Sequence, residues 1–399
     1  MLTLDRVYQA AHVLKDVVRQ TDLILSQHIA PDCELFLKTE NLQNTGSFKL
    51  RGAYFKMSLM SEAEKARGVI ACSAGNHAQG VALAAQRAGI NATIFIPSVA
   101  PLSKVEATKR YGARIEIVDG VYDDAYQAAA TFAQTNGGVF IHPFDDLDVI
   151  AGQGTIGLEI LNQQPDLDAI IVPVGGGGLI SGVAHAVKML NPGCKIYGVQ
   201  AAGANSMVRS FEKKTLCRAK KVSTFADGIA VKSPGETTYE YCRHYVDDIV
   251  TVSDDEIATA ILALMEQQKL VAEGAGVVAV AAAMNDRLPI AGKKVCAVVS
   301  GGNIDVNILS RVINRGLLTT GRLSELTIEM LDKPGQLNEV ASIIAELGAN
   351  VIKVIHDPGG ENTNITGCFL HIAMETKNKE HFMQIKQAIA DAGYKTTED

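Results

Sequence analysis

The chain has no tryptophan, and only 5% of its residues are aromatic. That leaves little from which to build the stacking platforms that hold single-stranded nucleic acids. No block of Lys or Arg interrupts the charge pattern and the formal net charge is −7, so a phosphate backbone is not an expected partner. The seven cysteines, at 33, 72, 194, 217, 242, 296 and 368, never fall into a C-x-x-C spacing. Their odd number and apolar surroundings argue for reduced thiols rather than a disulfide framework. No apolar run is long and polar-free enough to span a bilayer. Met1-Leu2-Thr3-Leu4-Asp5 opens an amphipathic helix pattern rather than an export signal. A cytoplasmic chain that engages neither nucleic acid nor membrane is the expectation.

What is abundant is glycine, with 36 residues, in a chain of 399 whose length exceeds what one core supports. From about residue 65, short apolar runs alternate with helical patterns. Val69 to Cys72, Asn91 to Ile96, Arg114 to Val118, Ala169 to Val174, Lys195 to Gln200 and Lys294 to Ser300 read as strands. Runs that are apolar on both faces and separated by helices indicate parallel sheet, hence an α/β fold. Near Gly321 the pattern changes. Leu326 to Met330 alternates like a half-exposed strand, and Asp332-Lys333-Pro334-Gly335 is a turn. Leu337 to Leu347 is a helix ended by Gly348. Asn350 to Ile355 and Ile365 to Ala373 read as strands around a polar turn from Pro358 to Thr363. A helix from Lys379 to Ala392 and a short terminal strand complete a βαββαβ module. Residues 315–324 read as the linker before it. The expected domains are 1–320, with a smaller lobe at roughly 50–145 inserted in a larger one, and 326–399.

Three segments carry chemistry. Lys49 lies in Ser47-Phe48-Lys49-Leu50-Arg51-Gly52, where Phe48 and the following helix can bury its amine and lower its pKa toward nucleophilicity. Gly175-Gly176-Gly177-Gly178-Leu179 joins a strand to a helix. Such a run is either a flexible turn or a phosphate cradle, since glycine lets successive N–H groups converge on an anion. It lacks the Lys-Ser/Thr of a nucleotide loop and the spacing of a dinucleotide fingerprint. Ser73-Ala74-Gly75-Asn76-His77 also bridges a strand and a helix, with Asn76 suited to cap it. Arg51 suits either an ion pair or a cofactor contact. Asn303 reads as a helix N-terminal residue, and Glu273 as either support for the site or an ordinary helix-turn glutamate. Asp227 alone defines no metal site, and none is expected.

Taken in order, Ser47 to Ala53, Ser73 to Gly80, Gly175 to Leu179 and Ser300-Gly301-Gly302-Asn303 resemble the fold-type II pyridoxal-phosphate enzymes, specifically the threonine ammonia-lyases. His142 to Asp146 and Gly152-Gln153-Gly154-Thr155 resemble that branch too. The resemblance implies pyridoxal 5'-phosphate held as a Schiff base on Lys49, beside Phe48. Its phosphate lies on Gly175, Gly176, Gly177, Gly178 and Leu179, its ring nitrogen against Ser300 and its phenolic oxygen against Asn76. Ser73, Ala74, Gly75, Asn76 and His77 take the substrate carboxylate. Lys49 is the implied base in deaminating L-threonine to 2-oxobutanoate, and L-serine to pyruvate, in isoleucine biosynthesis or threonine breakdown. Similar serine racemases carry a serine where Ala74 stands, and alanine moves no proton. A serine racemase/dehydratase and a silent amino-acid sensor are the alternatives. The C-terminal module resembles an ACT domain, which implies an amino-acid effector, allosteric control and a homo-oligomer, dimer or tetramer. His356-Asp357 matches that resemblance, whereas Pro358 stands where a basic residue is expected.

Overall fold

The runs Val69–Cys72, Ala169–Pro173 and Lys294–Val298 are buried along almost their whole length, as strands covered on both faces must be. The computed structural model describes residues 2–358 and 365–397 and divides the chain into two units, 1–305 and 306–399. The first unit holds two sheets. The larger runs Leu23–Ser26, Glu34–Lys38, Lys294–Val298, Ala169–Pro173, Lys195–Ala201 and Asp248–Val252 from edge to edge, and only its first pair is antiparallel. The smaller is wholly parallel, in the order Arg114–Val118, Ala92–Pro97, Val69–Cys72, Val139–Phe140. It is an insertion, since the chain leaves the larger sheet after Lys38 and returns at Ala169.

Each sheet has its own core. Ile170, Val172, Ile180, Val183 and Val298 pack in the larger lobe, and Ala71, Ile94, Ile96, Val81 and Ala85 in the smaller. The helix Lys49–Ser58 packs against both the helix Asn76–Ala88 and the helix Leu147–Gln163. Its approach to the latter is backbone to backbone, because a Cβ on Gly152 would come within 2.6 Å of Gly52 Cα. Two glycines therefore fix how closely the segment bearing Lys49 is pressed into the fold.

The same helix is anchored by charge. Arg51, fully buried, donates to Glu40 Oε1 and Oε2 at 2.7 and 2.8 Å and to Glu159 Oε1 at 2.6 Å. Lys38, also fully buried, donates to Glu159 Oε2 at 2.7 Å and to the Thr21 carbonyl at 2.8 Å. Arg51 thus takes the ion-pair role rather than a cofactor contact.

The second unit begins with the helix Val306–Thr319, which packs on the strand Leu323–Leu331. The division after Asp305 places that helix outside the first unit, earlier than the expected end at 320. The linker expected over 315–324 shrinks accordingly. The helix continues through its first half, and Gly321, at φ +69°, turns the chain into the strand with Gly321 N–H donating to Leu318 O and Arg322 N–H to Leu317 O. Four antiparallel strands follow in the spatial order Asn350–Asp357, Gly367–Glu375, Leu323–Leu331, Lys395–Thr397, with the helices Gln336–Glu346 and Lys379–Asp391 packed on one face. This is the ferredoxin-like βαββαβ arrangement. The turn expected up to residue 363 lies, beyond Pro358, outside the described residues.

Candidate active site

Lys49 is the first residue of its helix and its amine is buried. Nζ donates to the Pro143 carbonyl at 2.8 Å and stands 5.2 Å from the Phe48 ring centroid. Among the described residues no carboxylate reaches ion-pair distance. Burial therefore drives the amine down to about 8, with Glu273 pulling weakly the other way. An ordinary lysine is almost wholly protonated near neutrality; this one keeps a working fraction as the free amine.

Pro143 leads to the glycine loop. Phe144 lies so close to it that a Cβ on Gly176 would sit 2.5 Å from the ring, and one on Gly178 2.8 Å from Phe144 Cβ. Gly177 has φ +101° and caps the helix Gly178–Leu190; a side chain there would strike Thr238 and Met207 at 2.7 Å. The loop is thus closed on two sides by protein and can only be glycine. The first-turn N–H groups of Gly178, Leu179 and Ile180 have no partner inside the helix, which suits an anion. His142 Nδ1 accepts from Asp145 N–H at 2.7 Å, and Asp145 accepts from Thr238 N–H at 3.1 Å, so the segment spanning Lys49 and the glycines is itself held.

The third loop approaches from the smaller lobe. The helix Asn76–Ala88 packs on Lys49 so closely that a Cβ on Gly80 would be 3.1 Å from Lys49 Cβ. Ser73 Oγ accepts from Gly75 N–H at 3.1 Å, which shapes the turn, and Ala74 packs beside the core of that lobe. Asn76 does not cap its helix, because Gly75 is the cap. Its amide is committed elsewhere: Nδ2 donates to Glu273 Oε1 at 2.5 Å, and Oδ1 accepts from Asn303 Nδ2 at 2.7 Å. Asn303 Nδ2 also donates to the Thr45 carbonyl at 2.7 Å. Asn303 is therefore not a helix residue, since the next helix begins at Val306. Its rigid pairing fixes which way the Asn76 amide faces. Burial, with the Asp227 carboxylate adding to it, lifts Glu273 to about 7, against the hydrogen bond from Asn76. Asp227 itself pairs with Lys104.

Ser300 lies just beyond the strand Lys294–Val298 and is 5% exposed. Its carbonyl accepts from Phe48 N–H at 3.3 Å, and Ser47 bridges Gly301, so this turn is stitched to the segment bearing Lys49. His77 pairs its Nε2 with the Ile141 carbonyl at 2.8 Å and is pushed down to about 3 by burial and then by Lys49. It is a neutral, structural histidine.

Contacts through Pro143, Phe144 and Gly80 thus bring Lys49 and Phe48 close to the glycine loop, to the helix that Asn76 begins and to the Ser300 turn, while His77 is spent on the Ile141 carbonyl. Reading the sequence missed Asn303 as a partner of Asn76 and left Glu273 undecided. The signal for both was weak, because each lies more than 190 residues from Asn76. The available fit for a phosphorylated aldehyde is the chemistry of the donors: a buried amine without a carboxylate, a glycine cradle at a helix start and a hydroxyl at the end of a strand.

A family profile described as pyridoxal-phosphate dependent enzyme matches residues 14–301. An L-threonine ammonia-lyase of Thermotoga maritima is 49% identical over 396 residues, 99% of this chain and 98% of that one. Among solved structures, the processed form of threonine deaminase isoform 2 from Solanum lycopersicum superposes with a TM-score of 0.74 at 38% identity, over 78% of this chain and 93% of that one. Maize serine racemase gives 0.75 at 35% identity, over 79% and 98%.

Proposed function

This chain belongs to the pyridoxal-phosphate dependent enzymes, and within them to the threonine ammonia-lyases, and we propose the following division of labour in its conversion of L-threonine to 2-oxobutanoate and ammonia. The reaction sheds the β-hydroxyl as water and takes up one water in releasing the nitrogen, so no net oxidation occurs. L-Serine gives pyruvate in the same way; one methyl separates the two substrates, a difference that a pocket resolves by only about 1–3 kcal/mol. When bound, pyridoxal phosphate supplies an aldehyde carbon for the amine and a ring that draws electron density from the Cα–H bond.

The observation that carries the reading is the Lys49 amine, buried, without a carboxylate partner and lowered to about 8. That state lets Nζ both hold the cofactor and take up the proton from Cα. Phe48 packs beside it, and Gly175 to Leu179 offer the N–H groups for the phosphate. Ser300 would offer a neutral hydroxyl to the ring nitrogen. A hydroxyl there, unlike a carboxylate, would not hold a proton on that nitrogen, which accords with β-elimination rather than transamination. The loop Ser73 to His77 takes the substrate carboxylate at a helix start. Asn76 would meet the cofactor with its amide oriented by Glu273 and Asn303. Ala74 offers no second acid, so inversion at Cα lacks a proton donor on the face opposite Lys49, and elimination is favoured over racemisation.

The C-terminal unit is proposed to bind an amino-acid effector near the turn Asp332 to Gly335, in a homo-oligomer, dimer or tetramer, of the cytoplasm. Among the described residues, no helix is long and apolar enough to cross a membrane. The deciding experiment is 2-oxo acid formation from L-threonine by cofactor-loaded protein. Production of 2-oxobutanoate that Lys49→Ala abolishes is the expected result. Cofactor bound through Lys49 without product overturns the assignment.

A further inference from the structure

We propose that the C-terminal unit binds one divalent transition metal of borderline softness, such as Zn²⁺ or Co²⁺, through Asp332, His356 and Cys368. The three residues are far apart in sequence and carry no metal-ligand spacing, so only the sheet unites them. Cys368 lies on the strand Gly367–Glu375, between the strand Asn350–Asp357, which carries His356, and the strand Leu323–Leu331, whose end leads directly into Asp332. On one side His356 stands opposite Leu370, two residues from Cys368 and on the same face. On the other side Met330 stands opposite Cys368, and Asp332 follows two residues later, its N–H donating to the Thr366 carbonyl at 2.9 Å. Two strands and the turn that leaves a third thus bring one donor each to one end of the sheet.

The donor atoms of the three all lie within 4.8 Å of one another, and they form the one such group of three among the described residues. His356 Nε2 and Asp332 Oδ1 are 3.4 Å apart. That is long for a hydrogen bond. It matches two ligands about 2.0–2.1 Å from a shared tetrahedral ion, which stand roughly 3.4 Å from each other. Cys368 is 1% exposed, whereas the side chains of His356 and Asp332 are 48% and 59% exposed. The site is therefore floored by sulfur and open to solvent above, leaving the remaining position to water. One sulfur, one imidazole and one carboxylate select Zn²⁺, Co²⁺ or Ni²⁺ over Mg²⁺ or Ca²⁺, which take oxygen ligands. Binding displaces the Cys368 thiol proton to solvent, and no redox step is involved.

The test is titration of full-length protein with CoCl₂ under reducing conditions that do not chelate the ion. The readouts are cobalt–thiolate charge transfer in the near ultraviolet, d–d bands in the visible and proton release. One saturating equivalent with a thiolate band is expected, competed off by Zn²⁺. Cys368→Ser should remove the charge-transfer band. His356→Ala, at an exposed position that leaves the fold intact, should weaken binding at least about tenfold. Thermal unfolding and far-ultraviolet circular dichroism, set against the parent, give an independent check that the C-terminal unit of each variant is folded. Failure of the wild type to saturate overturns the proposal. So does a cobalt spectrum unchanged by both His356→Ala and Cys368→Ser, which would assign the ion to other thiols such as Cys33 or Cys217.

Discussion

Lys49 and Arg51 lie two residues apart on one helix, Arg51 fully buried and Lys49 half-buried, yet the fold treats their charges in opposite ways. Arg51 meets two carboxylates at 2.6–2.8 Å, and its pKa is raised. Lys49 meets a carbonyl and stands over the ring of Phe48, and its pKa is lowered. Burial alone opposes charge in both cases. What separates an anchor from a reagent is whether the chain supplies carboxylates to offset the lost water. Around Arg51 it supplies Glu40 and Glu159, and a helix is locked in place. Around Lys49 it withholds them, and the amine stays reactive.

The largest effect should come from breaking the reactive half. Lys49→Ala should reduce deamination by about 10³-fold or more while leaving thermal stability near that of the parent, as read by 2-oxo acid assay and calorimetry. Breaking the anchored half should do the reverse. Arg51→Met leaves the buried Glu40 carboxylate with the Thr21 hydroxyl as its hydrogen-bond donor and Glu159 with Lys38, at a cost of about 3–5 kcal/mol in denaturant unfolding, and whatever folds should keep the parent's pH profile. A variant as stable as the parent would show that Arg51 is not the anchor.

Asn303→Ala is subtler. It frees Asn76 to rotate its amide and should lower kcat by about 10–100-fold, with less change in unfolding than Arg51→Met. A change in KM alone would mean that Asn303 does not act through Asn76. The smallest effect lies in the pH dependence of the apo-protein. Lys49 titrates near 8 when folded and at 10.5 ordinarily. The unfolded chain therefore holds the extra proton between those values, and stability rises with pH across that window. Glu273 titrates near 7 when folded against 4.5 ordinarily. Here the folded chain holds the extra proton, so its contribution falls as pH rises from 4.5 to 7. Glu273→Gln should remove that fall. It should also shift cofactor capture by Lys49 to lower pH, because it deletes the carboxylate that raises the amine. A stability slope unchanged by Glu273→Gln would remove Glu273 from the site's electrostatics.

Local signals were legible in the sequence and distant ones were not. The apolar runs at 69–72, 169–173 and 294–298, the glycine loop at 175–178 and the C-terminal βαββαβ order follow from periodicity and turn chemistry. Lys49 stood out by its company of motifs. The partners of Arg51 did not, because Glu40 and Glu159 reach it from 11 and 108 residues away. Asn303 was misplaced because Gly-Gly-Asn before an apolar stretch looks like a helix start, whereas its side chain is recruited across the cleft by Asn76. The supposed linker failed for a local reason: Gly316 is tolerated within the helix Val306–Thr319, and the true break waits for Gly321.

The strand Glu34–Lys38 emerges early from the ribosome, but its parallel partner, Lys294–Val298, is made only near the end of the first unit. At about 5–20 residues per second, the wait is roughly a quarter of a minute to a minute. The inserted lobe can fold meanwhile, but Ser300 and Asn303 reach Lys49 and Asn76 only when that last strand docks. A chain truncated before Lys294 therefore lacks the turn to which Phe48 is bonded and the Asn303 partner of Asn76, and the site is complete only once the first unit is.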